Sequence, residues 1–333
     1  MSLYTDVDYP HQPSDDVDWQ ESFVLVFRDP KTNICGFLRT GAYVNQGYSQ
    51  VHWGMALPDG SRFRRNRAKV DWEPHHLTGN SFQSGDFTRY TINPDFVRFQ
   101  GFDKDAELDI RMFDYHPSQD WDMIGAEAPI VSRGGQGHPE SGGRIEGRIR
   151  IGDRVIDIAD GFGYRDHSFG PRKHNIFRAN RWHAGTLGPA LSYSLVYSVA
   201  SDGSAYKFGW LVREGKREKI KDLHTVSMTL SDGYSVIGGW TVVELDNGET
   251  LRIEAETIDG IVTSTHLVNG GPGSSPAGIE AISIPRCGDL VGGVCDFNMI
   301  DNAHRGEMEV SHTLLANVDD GLSRRPFDPG WVR

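Results

Sequence analysis

Ile145-Glu146-Gly147-Arg148-Ile149-Arg150-Ile151-Gly152-Asp153 carries a two-residue period. Ile145, Gly147, Ile149 and Ile151 fall on one face of an extended chain, and Glu146, Arg148 and Arg150 on the other. That pattern describes an antiparallel strand with one dry and one wet side. Gly152-Asp153 turns the chain into a second extended run, Val155 to Ile158. Beyond it comes Tyr164-Arg165-Asp166-His167-Ser168-Phe169-Gly170-Pro171-Arg172, which holds a phenol, two guanidinium groups, a carboxylate, an imidazole and a hydroxyl before Gly170-Pro171 stops the backbone. Extended through this stretch, the chain places Tyr164, Asp166 and Ser168 on one face and Arg165 and His167 on the other. No other segment is as dense in groups that move protons or pair charges.

Working upstream, Glu21 to Asp29 alternates with Phe23, Leu25 and Phe27 on one face, and Asp29-Pro30-Lys31-Thr32-Asn33 turns it into Cys35 to Tyr43. Val51, Trp53, Met55 and Leu57 share a face, so His52 points away from the bulkiest side, toward solvent or a cavity. Phe87 to Asn93, Val97 to Phe102 and Ala106 to Phe113 read as further strands. Asp114 to Gly143 has no period and is expected to be a long loop, of a length often reserved for function. Downstream, Leu191, Tyr193, Leu195, Tyr197 and Val199 alternate with serines. Strands follow at Tyr206 to Val212, Thr225 to Leu230, Ser235 to Val243, Leu251 to Thr257 and Gly260 to His266. The turns between strands are predicted at Ser201-Asp202-Gly203, Ser231-Asp232-Gly233, Asp246-Asn247-Gly248 and Asp259-Gly260. Val268 to Gly278 reads as a loop, Leu290 to Met299 as the last strand, and Glu307 to Ala316 as room for one short helix. The expectation is an all-β chain with helix below about 10 per cent, against a higher globular average. It is built as two tandem β-barrel or β-sandwich domains, residues 1–170 and 171–333.

At 333 residues and 37.1 kDa the chain exceeds what one core usually fills. A net charge of -12, from 46 acids and 34 bases, argues against nucleic acid or an anionic membrane surface and favours a small neutral or cationic ligand. Three unclustered cysteines, Cys35, Cys287 and Cys295, fit reduced core thiols and neither a disulfide framework nor a cysteine zinc site. Met1 to Gln20 lacks a basic region and an apolar run, so it is not expected to be a signal peptide. No run approaches the roughly 20 apolar residues of a membrane helix. A soluble, cytoplasmic protein is expected, with a homodimer left open.

Within the dense stretch, Asp166 or His167 reads as a general acid or base, with Tyr164 and Ser168 orienting it and Arg172 supplying positive charge. The competing reading is a structural ion pair, Asp166 held by Arg165 or Arg172 at a domain junction. An arginine neighbour lowers an aspartate pKa and burial raises it, so both signs stay open. The chain has 13 histidines, yet His75-His76 are adjacent and His167, His174 and His183 lack a ligand spacing, so no metal is expected. With no nucleophile elbow and no Gly-x-Gly-x-x-Gly opening a helix, neither a serine hydrolase of that kind nor a nucleotide cofactor is expected. Trp53, Trp182, Trp210, Trp240, Tyr193 and Tyr197 lie in or beside predicted strands. They read as core, or as the aromatic wall of a cavity bordered by Trp182-His183.

The segment Gly143 to Arg172 resembles the lipocalin-like proteins grouped with hydroxyneurosporene synthase, the carotenoid hydratase, in which an Arg-Asp-His-Ser-Trp-Gly-Pro-Arg element recurs. Here Phe169 stands where Trp is usual. Trp19-Gln20-Glu21-Ser22-Phe23 and the stretch from Gly36-Phe37-Leu38-Arg39-Thr40-Gly41 to Asn45-Gln46-Gly47 are also similar to that group. The likeness spans much of residues 19–185, with a looser match at Val294 to Asn298. It implies two tandem lipocalin-like domains with a hydrophobic cavity between or within them. It also implies hydration of terpenoid or polyene substrates, or cyclisation. The expected function is a cofactor-independent hydratase, dehydratase, isomerase or cyclase acting on a terpenoid-like alkene or alcohol. Asp166, His167, Tyr164 and Arg172 would be its catalytic groups, and His52, Trp53, Trp182, Tyr193 and Tyr197 its substrate wall. The alternatives are a non-catalytic carrier of an apolar ligand and a carbohydrate-binding sandwich.

Overall fold

A computed structural model describes residues 2–125, 135–172, 177–200, 203–231, 235–264, 277–301 and 321–324. Among these the regular structure is strand, apart from single 3-10 turns at Asp6–Asp8, Val44–Gln46 and Pro74–His76. The strands form two antiparallel sheets, each curled into a nearly closed barrel. In the first, Trp19–Arg28, Cys35–Tyr43, Tyr48–Ala56 and Ser61–Asp71 make one meander. Ser81–Ser84, Thr88–Ile92, Val97–Phe102 and Ala106–Asp114 make another. The long hairpin Glu140–Ile151 and Arg154–Pro171 lies between Trp19–Arg28 and Ala106–Asp114 and joins them.

The second sheet repeats the plan. A meander of Phe177–Thr186, Leu191–Ala200, Ala205–Arg213 and Lys216–Glu218 meets one of Ile220–Thr229, Val236–Leu245, Thr250–Ser264 and Ala277–Cys287, with Val294–Asp301 between them. Each sheet also takes an edge strand from the far half of the chain. Asp122–Ile124 pairs with Ala205–Arg213 of the second sheet, and Gly321–Arg324 pairs with Ser61–Asp71 of the first.

Alternation fills both barrels. Phe23, Leu25, Phe27, Leu38, Trp53, Phe99 and Ile110 pack inside the first, and Tyr193, Leu195, Leu223, Val243 and Phe297 inside the second. A third apolar cluster, with Val24, Val26, Phe37, Tyr164, Trp210, Ile261 and Ile282, lies where the outer faces of the two sheets meet. Gly142 sits at that contact. A Cβ there would lie 2.5 Å from Ser192 Oγ and 2.6 Å from Thr186 Cβ, so only glycine lets the strands approach this closely.

Several expectations change. Asp259-Gly260 is not a turn: Thr250–Ser264 is one strand with a bulge there, and the buried Asp259 carboxylate accepts from Arg62 Nε at 3.2 Å and Arg64 Nη2 at 2.7 Å. The polar pair that looked like a hairpin signal is an ion-pair clamp between the sheets. Asp114 to Gly143 is not wholly loop, since Asp122–Ile124 and the start of Glu140–Ile151 are strands. Gly170-Pro171 does not stop the strand but ends it from within, Gly170 taking a φ of 108° that favours glycine. The expected final strand is two, Leu290–Val291 and Val294–Asp301, since Gly292 and Gly293 both turn left-handed. The helix expected at Glu307 to Ala316 and most of the Val268 to Gly278 loop lie outside the described residues, as do parts of the 201–203 and 231–233 turns. Among the described residues no helix is long and apolar enough to cross a membrane. Cys35, Cys287 and Cys295 are free thiols, two of them buried.

Candidate active site

Register decides what faces the second sheet. Asp166 lies between Val24 on one neighbouring strand and Glu140 on the other, and Tyr164 between Val26 and Gly142. Side chains alternate, so Tyr164, Asp166 and Ser168 leave the first barrel outward while Arg165 and His167 point into it. The inner pair finds buried acid partners inside the first barrel. Arg165 donates to Asp8 Oδ1 at 2.6 Å and to Asp114 Oδ2 at 2.7 Å, with all three side chains fully buried. His167 Nε2 lies 2.7 Å from Glu21 Oε1, and its ring stacks on Phe23. The N-terminal arm closes this end of the barrel. The His11 backbone N–H donates to Glu21 Oε1 at 3.0 Å, and the His11 ring stacks on Phe169.

The outer face borders a cavity of about 100 Å³ between the sheets. Ser22, Val24, Phe37, Arg39, Asp166 and Arg172 line it from the first sheet, and Asn180, Trp182, Glu280 and Asn298 from the second. Trp121 and His138 enter from the segments flanking residues 126–134. The backbone of Gly137 and Pro139 accepts from Phe169 N–H at 3.1 Å and His167 N–H at 2.9 Å, so this segment runs beside the motif. That alignment brings His138 Nε2 into a short contact with Asp166 Oδ2. Trp121 stacks on the His138 ring with centroids 3.8 Å apart.

Behind this pair lies Glu140, fully buried. Its carboxylate accepts from the indole N–H groups of Trp210 at 2.7 Å, Trp121 at 2.9 Å and Trp182 at 3.1 Å, and from Tyr164 O–H at 3.1 Å. His138 Nε2 is 3.5 Å away. An indole can only donate, so three tryptophans are aimed by one acid. Burial pushes the Glu140 carboxyl up to about 7, with Asp166 adding repulsion and His138 opposing. For Asp166, burial would raise the pKa, but the His138 charge and hydrogen bond, helped by Arg172 and His167, hold it below its ordinary value. For His138, burial pulls down, but the Asp166 charge and hydrogen bond outweigh it and raise it. Both shifts favour the charged pair, an Asp166 carboxylate beside a protonated His138 imidazole. Across the cavity, burial raises both Glu280 and Asp296, and their mutual repulsion drives Asp296 well above the carboxylate range.

The residues singled out from the sequence divide. Asp166, Arg172 and Trp182 line the cavity, and Tyr164 stands behind it on Glu140. His167 faces the barrel interior. His52 sits beside Arg39 on the outer face but outside the cavity lining, its Nδ1 2.9 Å from Asn66 Oδ1. Trp53 is core of the first barrel. Tyr193 and Tyr197 belong to the second barrel, where Tyr193 O–H meets His183 Nε2 at 2.9 Å and burial holds the His183 pKa at about 3. Trp182 and His183, neighbours in sequence, thus serve opposite sides of one strand. Sequence reading did not place Trp121, His138, Arg39 or Glu280 in the site. The signal for the first two was the aperiodic stretch they come from.

Among the described residues two clusters hold three metal-type donor atoms within 4.8 Å of one another: His138, Glu140 and Asp166, and His11, Glu21 and His167. In the first, the Glu140 oxygens are already taken by indole and phenol donors, leaving His138 and Asp166 to share a proton with each other. In the second, Glu21 Oε1 is held by the His11 N–H and the His167 ring.

The family described as a domain of unknown function (DUF7064) matches residues 5–303. No curated protein matches the sequence. Among solved structures, the chain is similar to one assigned as AttH from Nitrosomonas europaea at 12% identity and TM-score 0.61, over 92% of this chain and 98% of that one. It is similar to CghA bound to Sch210972 at 10% identity and TM-score 0.58, over 91% and 98%. It is also similar to kievitone hydratase from Nectria haematococca at 10% identity and TM-score 0.55, over 87% and 90%. The tandem-barrel fold expected from the motif around Asp166 is the fold of these proteins.

Proposed function

The chain belongs to the DUF7064 family, and from the geometry of its inter-sheet cavity we propose that it is a lyase or isomerase working by proton transfer on a small, largely hydrophobic molecule. The observation that carries this reading is the buried His138–Asp166 pair opening on the cavity, with Glu140 behind it, its carboxyl pushed up by burial to about 7. Enzymes poise such groups near working pH by burial and by neighbouring charge. The similarity to a hydratase, kievitone hydratase, supports the same class.

In the proposed addition of water to an alkene, the His138–Asp166 pair delivers a proton to one alkene carbon. Water attacks the other carbon, and the proton that water loses returns to Asp166. Elimination is the same path reversed. Positive charge developing on carbon would face the Trp121 and Trp182 rings, whose π faces attract cations. Glu140 touches no substrate: it is a positioning residue, fixing both indoles and lying next to His138. Tyr164 positions Glu140 in turn.

The test uses a panel of terpenoid, polyene and aryl alkenes and their alcohols, incubated with the protein in deuterated water or in water enriched in heavy oxygen. Mass spectrometry should find isotope incorporated into at least one compound. The label should vanish in His138→Gln and Asp166→Asn and survive dialysis against a chelator. Tight binding of panel members with no incorporation, and no rearranged product, would overturn the reading in favour of a carrier protein.

A further inference from the structure

Five arginines are buried among the described residues: Arg39, Arg62, Arg64, Arg65 and Arg165. Four of them hold a carboxylate. Arg62 and Arg64 bind Asp259, Arg65 binds Asp103, and Arg165 binds Asp8 and Asp114. Arg39 is the exception. It is 9% exposed, it lines the inter-sheet cavity, and its buried Nη1 meets no hydrogen-bond acceptor among the described residues.

A second guanidinium lines the same cavity. Arg172 donates through Nη1 to Ser168 Oγ at 2.6 Å, and Ser168 Oγ is in turn 2.7 Å from Ser22 Oγ. Burial lowers the Arg172 pKa, and the nearby Arg39 charge lowers it further against the opposing Asp166 charge. The acids of the wall offset these charges only in part: Asp166 acts on Arg172 and Glu280 feels Arg39, but each has other partners. Asp166 is paired with His138, and Glu280 accepts from Thr263 Oγ1 at 3.1 Å and from Asn298 Nδ2. A buried guanidinium nitrogen left without an acceptor is costly, and two like charges in one cavity add to the cost. A carboxylate satisfies both terms, because its two oxygens match the planar fork of an arginine.

We propose that Arg39 and Arg172 form a carboxylate-binding subsite, and that the natural ligand is an acid whose carboxylate enters the cavity while its apolar remainder lies between the aromatic walls and the solvent. The size agrees. About 100 Å³ is well below the roughly 300–1,000 Å³ of pockets that enclose a whole drug-sized ligand, and suits a charged end group. This reverses the expectation, drawn from the net charge of -12, of a neutral or cationic ligand: local charge in the cavity departs from the global balance. The inference rests on reading the cavity as the reaction site, and it names the substrate class.

Benzoate, cinnamate and decanoate, each beside its methyl ester, serve as probes in calorimetric titration of the full chain. At least one acid should bind tenfold or more tightly than its ester. Arg39→Met and Arg172→Gln should each cut that preference tenfold while leaving ester affinity unchanged, and Arg39→Lys should restore part of it. Ligand-free Arg39→Met should melt at or above the wild-type temperature, since it relieves an unmatched buried charge. Equal binding of all three acids and their esters would overturn the subsite, as would a preference surviving Arg39→Met, or a loss of several degrees in that variant. Selectivity for acids without isotope incorporation would keep the subsite and remove the enzyme reading. Incorporation into neutral compounds without acid selectivity would do the opposite.

Discussion

Adjacent residues of the motif answer to different neighbours, and substitution separates them. Arg165 is locked between two buried carboxylates. Arg165→Met strands both, and by the usual cost of breaking a buried pair it should lose about 3–5 kcal/mol in chemical denaturation. Asp166→Asn removes the partner of His138, which can shed its proton, whereas a guanidinium cannot. That variant should therefore stay folded and lose turnover by about 10²-fold or more. Near-wild-type turnover would remove Asp166 from the chemistry. The protonation of the site also sets a pH dependence. Folding raises the Glu140 carboxyl from 4.5 to about 7, so the folded chain binds that proton more tightly than the unfolded one. The associated stability, on the order of 3 kcal/mol, is complete below the unfolded value, falls as pH rises and is gone above about 7. His138, raised above 6.5, adds a contribution that is complete below 6.5 and disappears above its folded value. Asp166, held below 3.8, acts oppositely but only under acid conditions. Melting temperature should therefore fall from pH 5 to pH 8, and a flat profile would contradict these protonation states. The face assignment of Asp166 was legible because a strand has only two sides. Its sign was not, because the deciding neighbour, His138, arrives from a segment without a period.

Strands with an apolar two-residue period were readable, even the fully buried Tyr48–Ala56, and strands that bury charged or mixed side chains were not. Phe177–Thr186 is dry toward the barrel at His183 and packs on the other sheet at Ala184 and Trp182, so polar and apolar residues lose their alternation. Ser61–Asp71 lacks an apolar period because of its arginines, yet Arg62, Arg64 and Arg65 are buried, each on an acid distant in sequence. Ala277–Cys287 hides in the same way behind the buried Glu280. Glu140–Ile151 was read from Ile145 onward. Its first residues, which reach the site, lack a hydrophobic face because Gly142 must sit against Ser192 and Thr186. Gly142→Val should force these elements apart at a cost of about 1–3 kcal/mol or more. It should also loosen the indoles held by Glu140, red-shifting tryptophan emission. An unchanged emission maximum would show that the close approach does not set the site.

The cavity exists only because two barrels are pressed together, so what holds them shapes it. Asp259 joins the sheets through Arg62 and Arg64, more than the width of a domain away in sequence. Asp259→Ala leaves two buried guanidinium groups unmatched and should cost about 3–5 kcal/mol. Denaturation at the wild-type midpoint would show that the clamp is dispensable. That two barrels occur in tandem was legible from turns and periods, and from the likeness around Asp166. Their exchange of edge strands was not, because pairing between Asp122–Ile124 and Ala205–Arg213, or Gly321–Arg324 and Ser61–Asp71, leaves no trace in either segment's own pattern. The second exchange bears on how the protein is made. Arg64 pairs with Gly321, and at roughly 5–20 residues per second on the ribosome that partner emerges about 10–50 s later. Until then the nascent chain carries an open sheet edge, the kind of surface that recruits other strands. Its yield in the cell should depend on the chaperones that occupy that edge while translation finishes.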